Sequence, residues 1–457
     1  MKLLISLSLV VLFFFGCRKD DRISTDPALK LEFSADSILF DTVFTSLGST
    51  TQKLKIFNRG KQAIKISEIK LAGGSSSSYQ ININGNPGTS ISDVELRGRD
   101  SLNIFVRVTI NPNSSSLPFV VGDVLEFQTN GNYQKVVLNA YGQNAVFLKN
   151  AVINTNSTWT NNLPYVIYGS VTVNPGKMLT IQKGSRILFH KDAEMLVGGT
   201  LKVEGTLDDS VLFASDRLER IYDDERGQWK GLRLLSSSIN NHINYTAIKN
   251  GLTGIEVDSL SKNSNPKLLL TNAKIYNMEL IGLYGLNADI TGFNNIIANC
   301  GRHLVYGING GLYNLKQNTF SNSFAQIRST PSVFFTDKLN QQKTSSLNLT
   351  LVNNIIWGNL SDEFSLEKAG TLPIEQVIHH NLIKTANTTF SGNGNILNQN
   401  PLFKNEEKNV FLLLTGSPAG NKGADLSLDP YFSTWLSKDL NGRTRLFPSD
   451  LGSYELF

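Results

Sequence analysis

Hydrophobic and polar residues alternate in short stretches between residues 29 and 146. In the stretch QKLKIFN, Leu54 and Ile56 point to one side and the intervening lysines to the other, which is the two-residue period of a half-buried strand. Sequences that favour turns, such as Asn130-Gly131-Asn132, separate these stretches. Several short strands at this spacing predict a β-sandwich over residues 29–146.

The pattern changes between residues 147 and 398, where short runs of Val, Ile and Leu are separated by Gly, Asn and Pro. A loose repeat in this region consists of an apolar residue, one spacer and an asparagine. The first four asparagines lie 27, 22 and 23 residues apart, a spacing typical of one coil of a solenoid. The repeat comprises Ile248 with Asn250, Ile275 with Asn277, Ile297 with Asn299, Phe320 with Asn322 and, with one extra residue, Ile356 with Asn359.

Stacked coils place the apolar residues of such a repeat in one inward column. The asparagines at the turns are then expected to form a ladder that bonds successive backbones. Together these features resemble a right-handed parallel β-helix of roughly ten coils, and the handedness is implied by the resemblance.

Both ends of the chain resemble further modules. The stretches FNRGKQAIKISEI and VVLNAYGQ, within residues 29–146, are similar to the immunoglobulin-like domains of secreted bacterial proteins. Residues 399–457 resemble the C-terminal choice-of-anchor-type module of bacterial surface proteins through NPLF, SPA, DLNGR and DLGSYE. Because an open coil exposes strand edges and core residues, this module is expected to cap the β-helix. The predicted fold is therefore all-β throughout.

The N-terminus has the pattern of a secretory signal. Lys2 precedes an almost unbroken apolar run that is too short to span a bilayer as a stable helix. The glycine and Cys17 that follow resemble the lipobox of bacterial lipoproteins, which implies a signal peptide over 1–16 and a membrane anchor on lipidated Cys17. The alternatives are an ordinary signal peptide before an unmodified cysteine, or an uncleaved anchor helix. Residues 17–28 are polar and are predicted to form a flexible tether.

The charged stretch Arg18-Lys19-Asp20-Asp21 bears on where the anchored protein is located. It resembles the signal that sends lipoproteins of the Bacteroidetes to the outer face of the outer membrane. The resemblance implies a cell-surface protein attached to the outer membrane. The alternative interpretation is a solvated tether without a sorting role.

Charge and motif content exclude several classes of function. The formal net charge is +5, but Lys and Arg are interleaved with Asp and Glu, which together with export disfavours a nucleic-acid partner. The sequence has no Gly-rich phosphate loop, paired cysteine ligands or nucleophile elbow, so no cofactor is expected. Of the histidines, only His379 and His380 are adjacent, and neighbours on a strand point to opposite faces. No metal site is therefore expected.

Candidate catalytic residues fall in two places. An acidic loop precedes a lysine and an arginine, and such a set can hold a cation and a sugar acid, although acidic loops are usually solvated excursions from a coil. A histidine near Tyr306, with Tyr284 one coil away, suits the base of a lyase. These candidates are Asp223, Asp224, Glu225, Lys230, Arg233 and His303.

Aromatic residues recur through the β-helix region and are the candidate ligand-binding set. Flat apolar rings with hydrogen-bonding groups nearby suit sugars. The candidates are Tyr245, Tyr276, Tyr284, Tyr306 and Trp357. The favoured function is a non-catalytic cell-envelope lipoprotein that displays a surface for a glycan or protein partner. The alternative is a polysaccharide lyase or glycoside hydrolase that acts in a groove of the β-helix.

Overall fold

The computed structural model describes residues 22–323, 328–339 and 344–456. The predicted signal peptide over 1–16, the lipidation site Cys17 and the charged stretch over 18–21 lie outside these ranges. The chain forms two compact units, Met1–Asn144 and Ala145–Phe457. Both consist mainly of β-strands, which confirms the predicted all-β class. Among the residues described, no helix has both the length and the apolar character needed to cross a membrane.

The first unit is a β-sandwich. Its strands are β1 (Ile23–Ser24), β2 (Glu32–Phe33), β3 (Ser37–Phe44), β4 (Gln52–Phe57), β5 (Ala63–Leu71), β6 (Tyr79–Ile83), β7 (Asn86–Gly88), β8 (Ser90–Leu96), β9 (Ser101–Val108), β10 (Phe119–Thr129) and β11 (Asn132–Gln143), with a 3-10 helix at Gly74–Ser76. One sheet has the order β1-β5-β10-β11-β3 with β8 also paired to β5, and the other has the order β2-β4-β9-β6-β7. Leu54 and Ile56 are completely buried in the core between the sheets, as the alternating pattern predicts.

The start of the described chain pairs with this sandwich. Ile23 and Ser24 form a parallel bridge with Ala63 and Ile64 on β5. The side chain of Asn130 donates a hydrogen bond of 3.0 Å to the carbonyl of Asp26. Part of the segment that the sequence assigns to the flexible tether is thus held against a sheet, by backbone pairing at Ile23 and Ser24 and by a side-chain bond at Asp26.

The second unit contains a 25-stranded sheet. Its strands are β12 (Val146–Ile153), β13 (Ser157–Trp159), β14 (Tyr165–Val173), β15 (Met178–Gln182), β16 (Arg186–Phe189), β17 (Glu194–Val197), β18 (Thr200–Glu204), β19 (Val211–Ser215), β20 (Gly231–Leu234), β21 (Asn241–Asn244), β22 (Thr246–Lys249), β23 (Thr253–Asp258), β24 (Leu268–Thr271), β25 (Lys274–Tyr276), β26 (Ile281–Phe293), β27 (Ile296–Ala298), β28 (His303–Lys316), β29 (Thr319–Asn322), β30 (Val333–Thr336), β31 (Leu347–Val352), β32 (Ile355–Gly358), β33 (Phe364–Glu367), β34 (Ile374–His379), β35 (Leu382–Ile383) and β36 (Ile396–Leu397). Short 3-10 helices occupy Arg220–Tyr222 and Thr388–Phe390.

These strands stack in parallel to form a β-helix with three columns. The first column includes β16, β19, β22, β25, β27, β29, β32 and β35. The second includes β17, β20, β23, the first halves of β26 and β28, β30 and β33. The third includes β18, β21, β24, the second halves of β26 and β28, β31 and β34.

The apolar residues of the predicted repeat stack in register in the first column. Ile248 pairs with Ile275, Ile275 with Ile297, Ile297 with Phe320 and Phe320 with Ile356. Every member is at most 1 % exposed. The sequence repeat therefore predicted both the coil register and the inward column correctly.

The asparagine ladder is formed by a different set from the one predicted. Backbone N–H groups donate bonds of 2.9 Å from Asn295 to the Asn318 side chain, from Asn318 to Asn354, from Asn354 to Asn381 and from Asn381 to Asn395. Asn250 and Asn277, by contrast, adopt positive φ at a corner and direct their side chains to the loop after Arg220–Tyr222. Asn250 and Asn277 therefore do not form the predicted ladder, whereas the Asn322 side chain does bond the neighbouring coil, donating a bond of 2.9 Å to the Cys300 carbonyl.

The C-terminal segment lies along one side of the β-helix. It contains β37 (Phe403–Asn405), β38 (Val410–Leu413) and a π-helical turn at Phe432–Leu436. Its apolar residues pack on the outward side of the first column, where Ile296, Ile355 and Leu382 are buried. Polar contacts to successive coils accompany this packing, because Asn294 binds the carbonyl of Trp435 and Asn353 that of Ala424. The segment thus covers a flank that spans several coils.

Candidate functional site

Three aromatic side chains stack along the outward side of the second column. Tyr284, Tyr306 and Phe334 occupy the same register position on β26, β28 and β30. Their inward neighbours Leu283 and Val305 are buried, so strand alternation turns the three rings outward. Ring centroids lie 5.6 Å apart for the tyrosines and 5.5 Å apart for Tyr306 and Phe334. We call these three residues the aromatic strip.

Both tyrosines of the strip keep their hydroxyl protons at neutral pH. Burial raises the pKa of Tyr284 and of Tyr306 above the usual value. The strip therefore presents apolar ring edges together with phenol groups that donate and accept hydrogen bonds.

His303 borders the strip as a neutral group. Its ring stacks on Tyr306 at 4.5 Å, and its Nδ1 lies 2.7 Å from the carbonyl oxygen of Pro331. Because a carbonyl only accepts hydrogen bonds, Nδ1 carries the proton. Burial lowers the pKa of His303 to about 4, with Arg328 and Arg302 acting in the same direction. A group with so low a pKa is a weak base near pH 7, which favours a packing role over proton abstraction.

A charged cluster continues the same side of the second column. Arg233 Nε lies 3.1 Å from Asp258 Oδ2 and 3.5 Å from Glu256 Oε1. Glu256 pairs with Tyr284 in the strand register, so the cluster adjoins the aromatic strip. Burial raises the pKa of Glu256, while Arg233 opposes this shift. The two carboxylates are i and i+2 on β23 and therefore share one face.

The predicted acidic loop is exposed and is held by the repeat asparagines. The Asn250 side chain donates a bond of 2.8 Å to the carbonyl of Asp223, and that of Asn277 one of 3.3 Å to Asp224 Oδ1. Glu225 lines a separate cleft against the first column. Lys230 contacts Glu194 at 3.3 Å on the surface. The structure therefore does not bring the acidic loop and Arg233 together in one cluster.

The five candidate aromatic residues divide between two places. Tyr284 and Tyr306 belong to the aromatic strip, where they are half-buried. Tyr245, Tyr276 and Trp357 pack against the apolar cluster that the C-terminal segment shares with the first column. Burial raises the pKa of Tyr276, as expected for a covered side chain. Only the first pair is placed to meet a large partner.

Sequence reasoning missed Phe334, Glu256 and Asp258. The signal for the two carboxylates was the alternation in TGIEVD, where the buried residues Ile255 and Val257 are each followed by an acidic residue. Within the described ranges, no three His, Cys, Asp or Glu side chains converge in a geometry that suits a metal ion.

Comparisons with known proteins add little to this picture. No family model matches the chain, and no curated protein matches it. Solved structures with local similarity include the ASH/PapD-like domain of human CEP192 (12 % identity, TM-score 0.19), a family 123 glycoside hydrolase from Clostridium perfringens (8 %, 0.18) and the periplasmic chaperone SfaE (10 %, 0.18). They cover 28 %, 25 % and 25 % of this chain, which spans 96 %, 26 % and 58 % of theirs. At these TM-scores the similarities carry no argument about fold or function.

Proposed function

We propose that the protein is a non-catalytic cell-envelope lipoprotein whose β-helix binds a glycan or a protein partner at the aromatic strip. The observation that supports this function is the stacking of Tyr284, Tyr306 and Phe334 on successive coils, which presents ring edges and hydroxyls in a row. Aromatic residues that combine apolar area with a polar group are the usual anchors of binding surfaces. The neighbouring charged cluster adds hydrogen-bonding groups for an extended ligand.

Removing the two tyrosines tests the strip. The double variant Tyr284→Ala/Tyr306→Ala is expected to bind its partner at least about tenfold more weakly, because each anchor residue contributes on the order of 1–2 kcal/mol. A glycan array followed by titration measures the affinity, and pull-down from cell-envelope extract covers protein partners. Tyr141→Ala, at an exposed tyrosine of the sandwich, is the matched control. Unchanged affinity in the double variant would refute the strip as the binding surface.

A polysaccharide lyase or glycoside hydrolase is the second candidate. Glu256 and Asp258 favour it, because carboxylates two residues apart on a strand are separated by about 6.5 Å, near the spacing of an inverting hydrolase. The raised pKa of Glu256 suits a general acid, and Asp258 accepts a hydrogen bond from Arg233. New reducing ends or unsaturated ends released from the array glycans would replace the non-catalytic proposal with this one.

Lipid attachment at Cys17, which the proposed placement on the outer face of the outer membrane requires, has its own test. Cells fed an alkyne fatty acid are expected to label the wild-type protein and to leave Cys17→Ser unlabelled, because the serine lacks the thiol that is acylated. Cys300→Ser is the matched control, since Cys300 is a buried free thiol. Equal labelling of Cys17→Ser and the wild type would contradict the anchor.

A further inference from the structure

The cleft that Glu225 lines has a volume of about 400 Å³ and lies beneath the loop that joins β19 to β20. Its lining includes His190, Asp216, Tyr222, Glu225 and Gln228. None of the cleft's lining residues belongs to the aromatic strip. The volume is within the range of small-molecule sites.

The loop over this cleft is fixed by its own hydrogen bonds. The Gln228 side chain donates bonds of 2.9 Å and 2.8 Å to the carbonyls of Tyr222 and Glu225. Asn250 holds the carbonyl of Asp223 at 2.8 Å from the neighbouring coil. A cleft whose walls are tied in this way is pre-formed, which lowers the entropy cost of binding.

Two buried acceptor atoms in the lining lack a donor. The Asp216 side chain is 8 % exposed, and its Oδ2 lies 2.8 Å from His190 Nδ1. Its Oδ1 is buried and has no hydrogen-bond partner within the described ranges, and the same holds for Gln228 Oε1. Buried acceptors without a partner cost free energy, so each of these atoms favours a ligand that brings a donor.

The remaining lining suits a polar ligand with an apolar side. The His190 ring packs on Tyr168 at 4.5 Å, and the Arg217 guanidinium lies 3.8 Å above the Tyr222 ring. Arg217 is already paired with Glu219 at 3.2 Å. The Asp216 carboxylate occupies the Nδ1 side of His190, which leaves Nε2 as a further hydrogen-bonding group.

We propose that this cleft binds a single sugar residue, whose hydroxyl groups form hydrogen bonds with the polar side chains of Asp216, His190 and Gln228 that line it. A sugar matches the lining because it offers several donors on a compact ring that also has apolar C–H faces. Binding in this cleft does not depend on the aromatic strip, and the proposal does not rest on the function proposed for the strip.

Ligand-observed NMR and titration calorimetry with a panel of methyl hexosides test this site on the full-length protein. At least one hexoside is expected to bind the wild type in preference to cyclohexanol, a ring of similar size with one hydroxyl. Asp216→Asn is expected to weaken binding about tenfold or more, because it replaces a charged acceptor with an amide. Asp209→Asn, at an exposed aspartate that pairs with Lys183, is the matched control and should bind normally.

Two further variants keep the outcome interpretable. Lys191→Trp places a bulky ring in the lining from an exposed position and should abolish binding even if Asp216→Asn fails to fold. The strip variant Tyr284→Ala/Tyr306→Ala should bind the hexoside as the wild type does, which separates this site from the strip. No preference for any hexoside over cyclohexanol, or unchanged binding in both cleft variants, would overturn the proposal.

Discussion

Replacing Asn318 with leucine is expected to lower the free energy of unfolding of the β-helix by about 3 kcal/mol or more. The Asn318 side chain accepts bonds of 2.9 Å and 3.0 Å from the backbone and side chain of Asn295. It donates bonds of 3.0 Å to the Gly292 carbonyl and to Asn354 Oδ1. Leucine leaves these buried groups without partners, and each costs about 1–3 kcal/mol.

Tryptophan fluorescence isolates this effect from the sandwich. All four tryptophans lie beyond residue 144, at Trp159, Trp229, Trp357 and Trp435. Denaturant titration should show a lower midpoint with an unchanged slope, which indicates a true loss of stability. Asn348→Leu, at an exposed position of β31, is the control and should change stability by less than about 0.5 kcal/mol. A loss below about 1 kcal/mol for Asn318→Leu would mean that the ladder contributes little.

Because the coils differ in length, the sequence repeat predicted the apolar residues of the first column but not the asparagine ladder. The repeat from Ile248 to Phe320 lies in coils without long excursions, so its spacing is nearly constant. Ladder residues from Ala273 to Asn395 are separated by 22, 23, 36, 27 and 14 positions. Excursions at the corners change these separations without disturbing the register, because the register is set by backbone pairing inside the columns.

The aromatic residues of β28 show how strand alternation separates outward rings from core rings. Tyr306 and Tyr313 both lie on β28, yet Tyr306 faces outward and Tyr313 is buried in the core. The two residues are an odd number of positions apart, so strand alternation places them on opposite faces, and the corner at Asn309 and Gly310, both with positive φ, leaves that alternation in phase. Inside the core, Gly285 makes room for Tyr313, because an added Cβ would lie 2.4 Å from the Tyr313 hydroxyl. Sequence patterns predicted that aromatic residues line the rod, but not which of them face outward.

The sequence contains a signal for the position of the C-terminal segment. Pairs of adjacent apolar residues, Ile296-Ile297, Ile355-Ile356 and Leu382-Ile383, occur in strands of the first column. Since neighbours on a strand face opposite sides, such pairs indicate a strand covered on both faces. The second residue of each pair lies in the β-helix core and the first contacts the C-terminal segment. The resemblance to a capping module predicts that the segment covers the end of the solenoid, whereas these pairs indicate that it covers the flank.

Replacing Arg445 with methionine is expected to release the C-terminal segment from this flank. The Arg445 side chain is 0 % exposed, forms an ion pair with Glu455 and donates a bond of 3.0 Å to Asn294 Oδ1 on the β-helix. A further bond of 3.2 Å reaches the Gly452 carbonyl. Loss of one partner of a buried ion pair costs about 3–5 kcal/mol, because the other charge stays buried without compensation.

The pH dependence of the stability lost in Arg445→Met shows whether the loss comes from the ion pair or from apolar packing. Burial raises the pKa of Glu455 to about 7, against the opposing effect of Arg445, so removal of Arg445 raises this pKa further. From about pH 4.5 to beyond pH 7, the folded variant then binds more protons than the unfolded chain. Its free energy of unfolding therefore falls as the pH rises through this window. The variant should therefore be closer to the wild type at pH 5 than at pH 8. Arg445→Met/Glu455→Gln should recover part of the loss at pH 8, because it also removes the carboxylate with which Arg445 was paired.

Hydrogen exchange of residues 399–456 measures the release directly. In Arg445→Met these amides should exchange faster at pH 8, whereas the strands of the second column should keep their protection, since no contact of Arg445 reaches them. Lys404→Met, at an exposed cation of the same segment, is the matched control and should exchange as the wild type does. If the segment stayed protected in Arg445→Met at pH 8, the apolar contacts of Phe411, Leu440 and Leu451 would suffice to hold it, and the buried arginine would serve orientation rather than attachment.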